Sequence, residues 1–306
     1  MLKILFFFAI FIDIAHSKEF YKKNMVDKAH QSVSKSIANL SDNIDSFFAD
    51  NKHEDVPNRS KLKISFDTYF REGRGPYVIP ELNYQLVLPR TEKRLRLVFE
   101  NENEDKKSET SKVRTNQTRN NNANDNRTSA GLRYMVEKSG IEFYSDAGII
   151  VNIPPVVFTK FTAKKTIEFT NWILKVNEQI KWVNNKGLTS DLDLDFDKQL
   201  TRKYLLRMVN NTFWNDTDYV IRFENGPSLF HRISDEKALS YHAHVITVNE
   251  PDFVVENYLL QVTYRQLAYS NWLYFSISPF VNFPRTENFH RTPGLVVGFD
   301  AIFGKI

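Results

Sequence analysis

The chain contains no cysteine, so it has neither a disulfide framework nor a thiolate metal site. It also has no apolar run long enough for a membrane-spanning helix beyond a short N-terminal stretch. A mature chain of this kind is soluble or crosses a bilayer as strands. It lacks an excess of charge of one sign. The net charge is +4, spread along the chain, too weak and too diffuse for a nucleic-acid footprint. Familiar catalytic motifs are missing too, with no nucleophile elbow and no His-Glu-x-x-His. Gly73-Arg74-Gly75 is followed by no helical pattern and reads as a turn rather than a phosphate cradle.

What is present begins with a secretory leader. Met1-Leu2-Lys3 forms a short basic region, Ile4–Ala15 is apolar apart from Asp13, and Ala15-His16-Ser17 supplies small residues at a cleavage position. The expected division is a signal peptide at 1–17, a periplasmic helix and linker at 18–60, and a barrel domain at 61–306. Within 18–60, Val26, Ala29, Val33, Ile37, Leu40, Ile44, Phe47 and Phe48 recur every three or four residues. That spacing predicts one apolar helical face. No glycine or proline interrupts the helix before Pro57. Charges of both signs on its polar face suit a helix resting on its own barrel better than one lying on a membrane.

From Lys61 the period falls from 3.6 to 2. Leu62, Ile64, Phe66 and Phe70 alternate with Lys61, Lys63, Ser65, Asp67 and Tyr69, and similar rows recur to the end of the chain. Such segments have one apolar and one polar face. A soluble sandwich and a membrane barrel both fit this pattern. Three features favour the barrel: segments of about ten residues, aromatics near segment ends such as Trp172, Trp182, Trp214 and Trp272, and alternating tight and loose connections. Tight turns are expected at Pro89–Lys93, Lys138–Gly140, Lys164–Thr166, Lys198–Arg202, Ser234–Lys237 and Tyr269–Asn271. The fold class expected is all-β: an antiparallel transmembrane β-barrel of about fourteen strands, within a range of roughly 12–16. Residues 101–129 are almost free of apolar side chains and read as a disordered polar external loop.

Near the C-terminus, Val297, Phe299, Ala301 and Phe303 alternate with Gly298 on the opposite face, a pattern like the final strand read by the barrel assembly machinery. The stretch Trp272–Gly304, together with Asp45-Ser46-Phe47-Phe48, Asn58-Arg59-Ser60 and Gly131-Leu132-Arg133-Tyr134, resembles a proteobacterial family of predicted outer-membrane β-barrel proteins. The resemblance implies architecture and location, and brings no activity with it.

The most unusual internal pattern is Asp191, Asp193, Asp195 and Asp197 alternating with Leu192, Leu194 and Phe196. In a barrel the aspartates line the lumen. Lys175, Asn177, Gln179 and Lys181 precede them on one face, and Lys203, Arg207 and Asn211 follow on another. Neighbouring strands then present opposite charges to each other, either as an ion-pair lattice filling a closed lumen or as a charged pore wall. Carboxylates two residues apart on one strand are too spread to converge on a Ca²⁺ ion. His242 and His244 share a face with Ser240; a plain lumenal pair is the commoner reading, half a metal site or a serine–histidine pair the sharper one. His290, beside Arg285 and Arg291, falls in an external connection where cations can meet lipopolysaccharide phosphates.

The expectation is an outer-membrane barrel of a Gram-negative cell with a structural or narrow-channel role. It needs no cofactor, metal or nucleic acid, its partners are outer-membrane lipid and lipopolysaccharide, and the sequence sets no oligomeric state. Rival readings are a surface protein acting through 101–129, an outer-membrane hydrolase, and a soluble periplasmic β-sandwich.

Overall fold

The computed structural model describes residues 39–45, 47–48, 60–88, 94–101, 128–217, 219–250, 252–269 and 272–304. The expected leader at 1–17 lies outside them, as do the helical pattern before residue 39 and nearly all of 101–129. Asn101 and Thr128 themselves end β3 and open β4.

Fourteen strands close into one antiparallel barrel. In chain order they are β1 (Lys61–Arg71), β2 (Arg74–Val87), β3 (Leu95–Asn101), β4 (Thr128–Lys138), β5 (Ile141–Ile150), β6 (Val156–Glu168) and β7 (Ile173–Val183). They continue with β8 (Gly187–Gln199), β9 (Tyr204–Asn215), β10 (Ile221–Arg232), β11 (Lys237–Val248), β12 (Val254–Tyr269), β13 (Leu273–Pro284) and β14 (Thr292–Phe303). Every strand pairs with its sequence neighbours. Closure comes from β1 against β14, in register from Leu62↔Phe303 to Arg71↔Gly294. That seam leaves no free sheet edge, the condition for strands to survive in hydrocarbon.

The faces are inverted relative to a soluble sheet. Phe66, Phe70, Leu132, Tyr258, Leu260, Phe299 and Phe303 point outward and are exposed, while Lys63, Ser65, Arg133, Asp193, Arg207, Gln261, Thr263 and Arg265 are buried inside. An apolar exterior around a polar interior is the arrangement of a transmembrane β-barrel. Among the described residues, no helix is long and apolar enough to cross a membrane; the strands do so instead.

One turn differs from the sequence expectation. Lys164–Thr166 lies within β6, and the connection to β7 falls at 169–172. Lys164 extends over the Tyr144 ring on the neighbouring strand, so its polarity belongs to the inner wall rather than to a turn. The beginning of β1 and the end of β14 sit at the same end of the barrel, and the β6–β7, β8–β9, β10–β11 and β12–β13 turns must share it.

Residues 39–45 and 47–48 are helical and lie within the barrel at that end. Leu40, Ile44 and Phe48 form one apolar cluster with Ile173 of β7, Leu205 of β9, Phe230 of β10 and Ala238 of β11. Phe47 packs edge-on to Phe48 and to Tyr274 of β13 and beside Ile302 of β14. Contact with inward residues of strands that run from β7 round to β14, half the circumference of the barrel, places the segment across the lumen. The described part of the amphipathic face, Leu40, Ile44, Phe47 and Phe48, thus packs on the inner wall of its own barrel.

Candidate functional site

The candidate site is the lumen beside this segment. Asp45 is buried on the segment, and Arg207 of β9 clasps it, Nη1 to Oδ1 at 2.7 Å and Nη2 to Oδ2 at 3.1 Å. Arg207 also grips Asp197 of β8, Nε to Oδ1 at 2.6 Å and Nη2 to Oδ2 at 2.7 Å. Ser41 completes the knot by donating to Asp197 and accepting from Arg207 Nη2 at 3.2 Å. Lys175 of β7 donates to both Asp42 and Asp45 at 2.8 Å. The guanidinium fork matches two carboxylates at once, which a lysine at that position would not do. Buried charges persist only when paired in this way, so the segment and the wall satisfy each other.

The acidic row of β8 continues from that clasp. Asp191, Asp193, Asp195 and Asp197 are all buried and inward. Asn211 Nδ2 donates to Asp191 at 2.6 Å and to Asp193 at 2.7 Å, and Asn177 donates to Asp193 at 3.1 Å. Lys175 stands opposite Asp195 in register, yet its amino group reaches the segment. Gln179 stands opposite Asp191. Lys181 is buried with its amino group over the Phe158 ring. Lys203 lies in the β8–β9 turn and is exposed. Lys175, Asp197 and Arg207 therefore meet in one cluster, Asp191 and Asp193 meet asparagines, and Lys203 joins none of them.

Among the described residues, a second charged cluster joins wall to wall. Arg133 of β4 binds Asp146 of β5 through Nε and Nη2, both at 2.9 Å, and Glu100 of β3 at 2.8 Å. Lys160 of β6 bridges Glu100 at 2.9 Å and Asp146 at 3.0 Å. Four adjacent strands are thereby cross-linked inside the barrel.

His242 and His244 form part of a longer chain. Ser240 Oγ lies 2.8 Å from His242 Nε2, and His242 Nδ1 lies 2.8 Å from Ser228 Oγ. Ser228 Oγ in turn lies 3.0 Å from His244 Nε2, and His244 Nδ1 lies 2.8 Å from Glu224 Oε1. All five side chains are buried. A carboxylate only accepts, so with both rings neutral each proton is assigned: Ser240 donates to His242, His242 to Ser228, Ser228 to His244, and His244 to Glu224. Phe230 sets its ring edge-on to His242, with centroids 5.7 Å apart, and meets Phe48 of the segment on its own account. Glu224 and Ser228 were not singled out in the sequence. Their alternation with Gly226 and Phe230 in Glu224-Asn-Gly-Pro-Ser-Leu-Phe230 puts them on one face, but only the β10–β11 register, with Ser228 opposite His242, brings them to the histidines. Among the described residues, no group of three or more His, Cys, Asp or Glu is placed to hold a metal ion.

No protein-family model matches the chain, and no curated protein matches it. Solved structures similar to it are outer-membrane barrels. A loop-deleted OmpT, an outer-membrane protein of Vibrio cholerae, aligns at 8% identity and a TM-score of 0.46, covering 80% of this chain and 98% of that one. The outer membrane channel DcaP of Acinetobacter baumannii aligns at 3% identity and a TM-score of 0.45, covering 80% and 96%. OccK11 of Pseudomonas aeruginosa aligns at 8% identity and a TM-score of 0.45, covering 80% and 95%.

Proposed function

We propose that this protein is an outer-membrane barrel of a Gram-negative cell whose narrow, charged lumen is held shut by residues 39–48. The observation that carries the reading is the clasp of Asp45 by Arg207 and Lys175, which fixes a helical segment across the inside of a closed barrel. The polar inner wall suits water and small polar solutes. The apolar outer band suits outer-membrane lipid, and the cations Arg285, His290 and Arg291 in the β13–β14 connection suit lipopolysaccharide phosphates. The alternating final strand suits recognition by the barrel assembly machinery. With the chain termini of the barrel on the periplasmic side, the segment closes it from below.

Conductance across planar bilayers tests this. The full chain should give small or no current steps, and a variant lacking residues 39–48 should give larger, longer ones. Equal silence from both, in preparations that still shift on boiling in a gel, would leave the barrel a structural role only.

A further inference from the structure

The histidine chain is more elaborate than lumen packing requires. Ser228 Oγ stands 3.0 Å from a histidine nitrogen whose other ring nitrogen is held at 2.8 Å by the Glu224 carboxylate. A hydroxyl, a base and an acidic group that orients the base are the parts of an activated serine. The backbone is shaped for that base: a Cβ on Gly226 would stand 2.9 Å from His244 Cδ2 and 2.1 Å from the Ala243 carbonyl oxygen. Only glycine leaves room for the ring between Glu224 and Ser228. An electrophile lies alongside, because Arg207 is the cross-strand partner of Ser228, and side chains so paired stand about 5 Å apart at Cβ. In the closed barrel, Arg207 Nη1 is taken by Asp45 of the segment, and Phe48 covers Phe230 beside His242.

We propose that Ser228 is a nucleophile toward carboxylic esters, with His244 as its base and Arg207 as the group that receives the oxyanion, latent while residues 39–48 are docked. Ser228 Oγ bonds to the ester carbonyl carbon as its proton passes to His244 Nε2. The developing oxyanion takes the guanidinium hydrogens that Asp45 releases when the segment leaves. The carbon–oxygen bond to the alcohol breaks, and the departing alkoxide collects the proton from His244. Water then cleaves the acyl-serine by the same route. Glu224 is a positioning residue that holds the tautomer of His244. Ser228 is only 1% exposed, so the undocked state is the reactive one, and the inference rests on the docking reading above.

The test is an alkyl fluorophosphonate, which bonds phosphorus to an activated serine as fluoride leaves, applied to the full-length barrel in detergent. Asp45→Asn frees Arg207 of the segment's carboxylate and should be labelled faster than wild type, with the adduct mapped by mass spectrometry to Ser228. Adding His244→Ala should slow labelling about 100-fold or more, the lower end of what a positioned base contributes. Adding Glu224→Gln should alter the pH profile of labelling without altering the heat-modifiable gel shift, and Ser65→Ala should change nothing. No adduct on a D45N barrel that still shifts on boiling, or an adduct on another serine, overturns the proposal. Conductance that rises when the segment is removed, without labelling, overturns the nucleophile and leaves the closed channel standing.

Discussion

Two clusters of charge line the same lumen, and they differ in what they join. Glu100, Arg133, Asp146 and Lys160 connect β3, β4, β5 and β6 to one another. Asp45, Lys175, Asp197 and Arg207 connect β7, β8 and β9 to a segment that belongs to no strand. Backbone hydrogen bonds hold the first set of strands together whether or not the charges pair, so that cluster fills space and fixes the wall. The second cluster and its apolar surroundings hold a segment that has no ladder of its own. Similar chemistry is a lattice in one place and a latch in the other.

The largest effect is expected from Arg207→Ala, which leaves Asp197 buried without its guanidinium and Asp45 with Lys175 alone. Removing one partner of such a set costs about 3–5 kcal/mol, to be read from reversible urea unfolding in lipid vesicles, and conductance should rise with it. A drop in stability with unchanged conductance would make the latch another piece of wall. An outward charge at the exposed Leu260, as in Leu260→Arg, should cost about 2–4 kcal/mol near mid-membrane and leave both clusters intact. An equally stable variant would mean that this face does not meet hydrocarbon. Arg133→Ala should cost about 1.5–3 kcal/mol, the range for hydrogen bonds to charged groups, with conductance unaltered; opened current from this variant would erase the distinction between the clusters. Phe48→Leu keeps most of the apolar volume but loses the edge-on contact with Phe230. It should cost about 0.5–1.5 kcal/mol and make brief openings more frequent in single-channel records.

Much of the barrel is legible in the sequence because strand alternation is local. Leu62, Ile64 and Phe66 against Lys63, Ser65 and Asp67 declare two faces without reference to any other strand, and Phe299 against Gly298 does the same at the far seam. The same rule puts Asp191, Asp193, Asp195 and Asp197 on one face. It misplaces the β6–β7 turn, since Lys164 and Thr166 have turn-like polarity but serve the inner wall. The partners of the lumen residues are a different matter. Lys175 sits opposite Asp195 in the ladder yet spends its charge on Asp42 and Asp45, more than 100 residues away in sequence and on a helix whose docking place no local pattern encodes. Ser228 and Glu224 carry no local signal for the same reason: only the β10–β11 register brings them to the histidines.

What the residues alone establish is alternation in segments of membrane-spanning length, one apolar and one polar face on each, and an amphipathic helical pattern before them. These follow from the two-residue and 3.6-residue periods, which are properties of the backbone. It takes the folded barrel to turn the apolar face outward, to close fourteen strands at β1 and β14, to dock residues 39–45 and 47–48 inside, and to stand one serine between two histidines. Closure, docking and register bring together residues far apart in sequence. Their energies depend on burial and on distances of about 3 Å, which no periodicity carries.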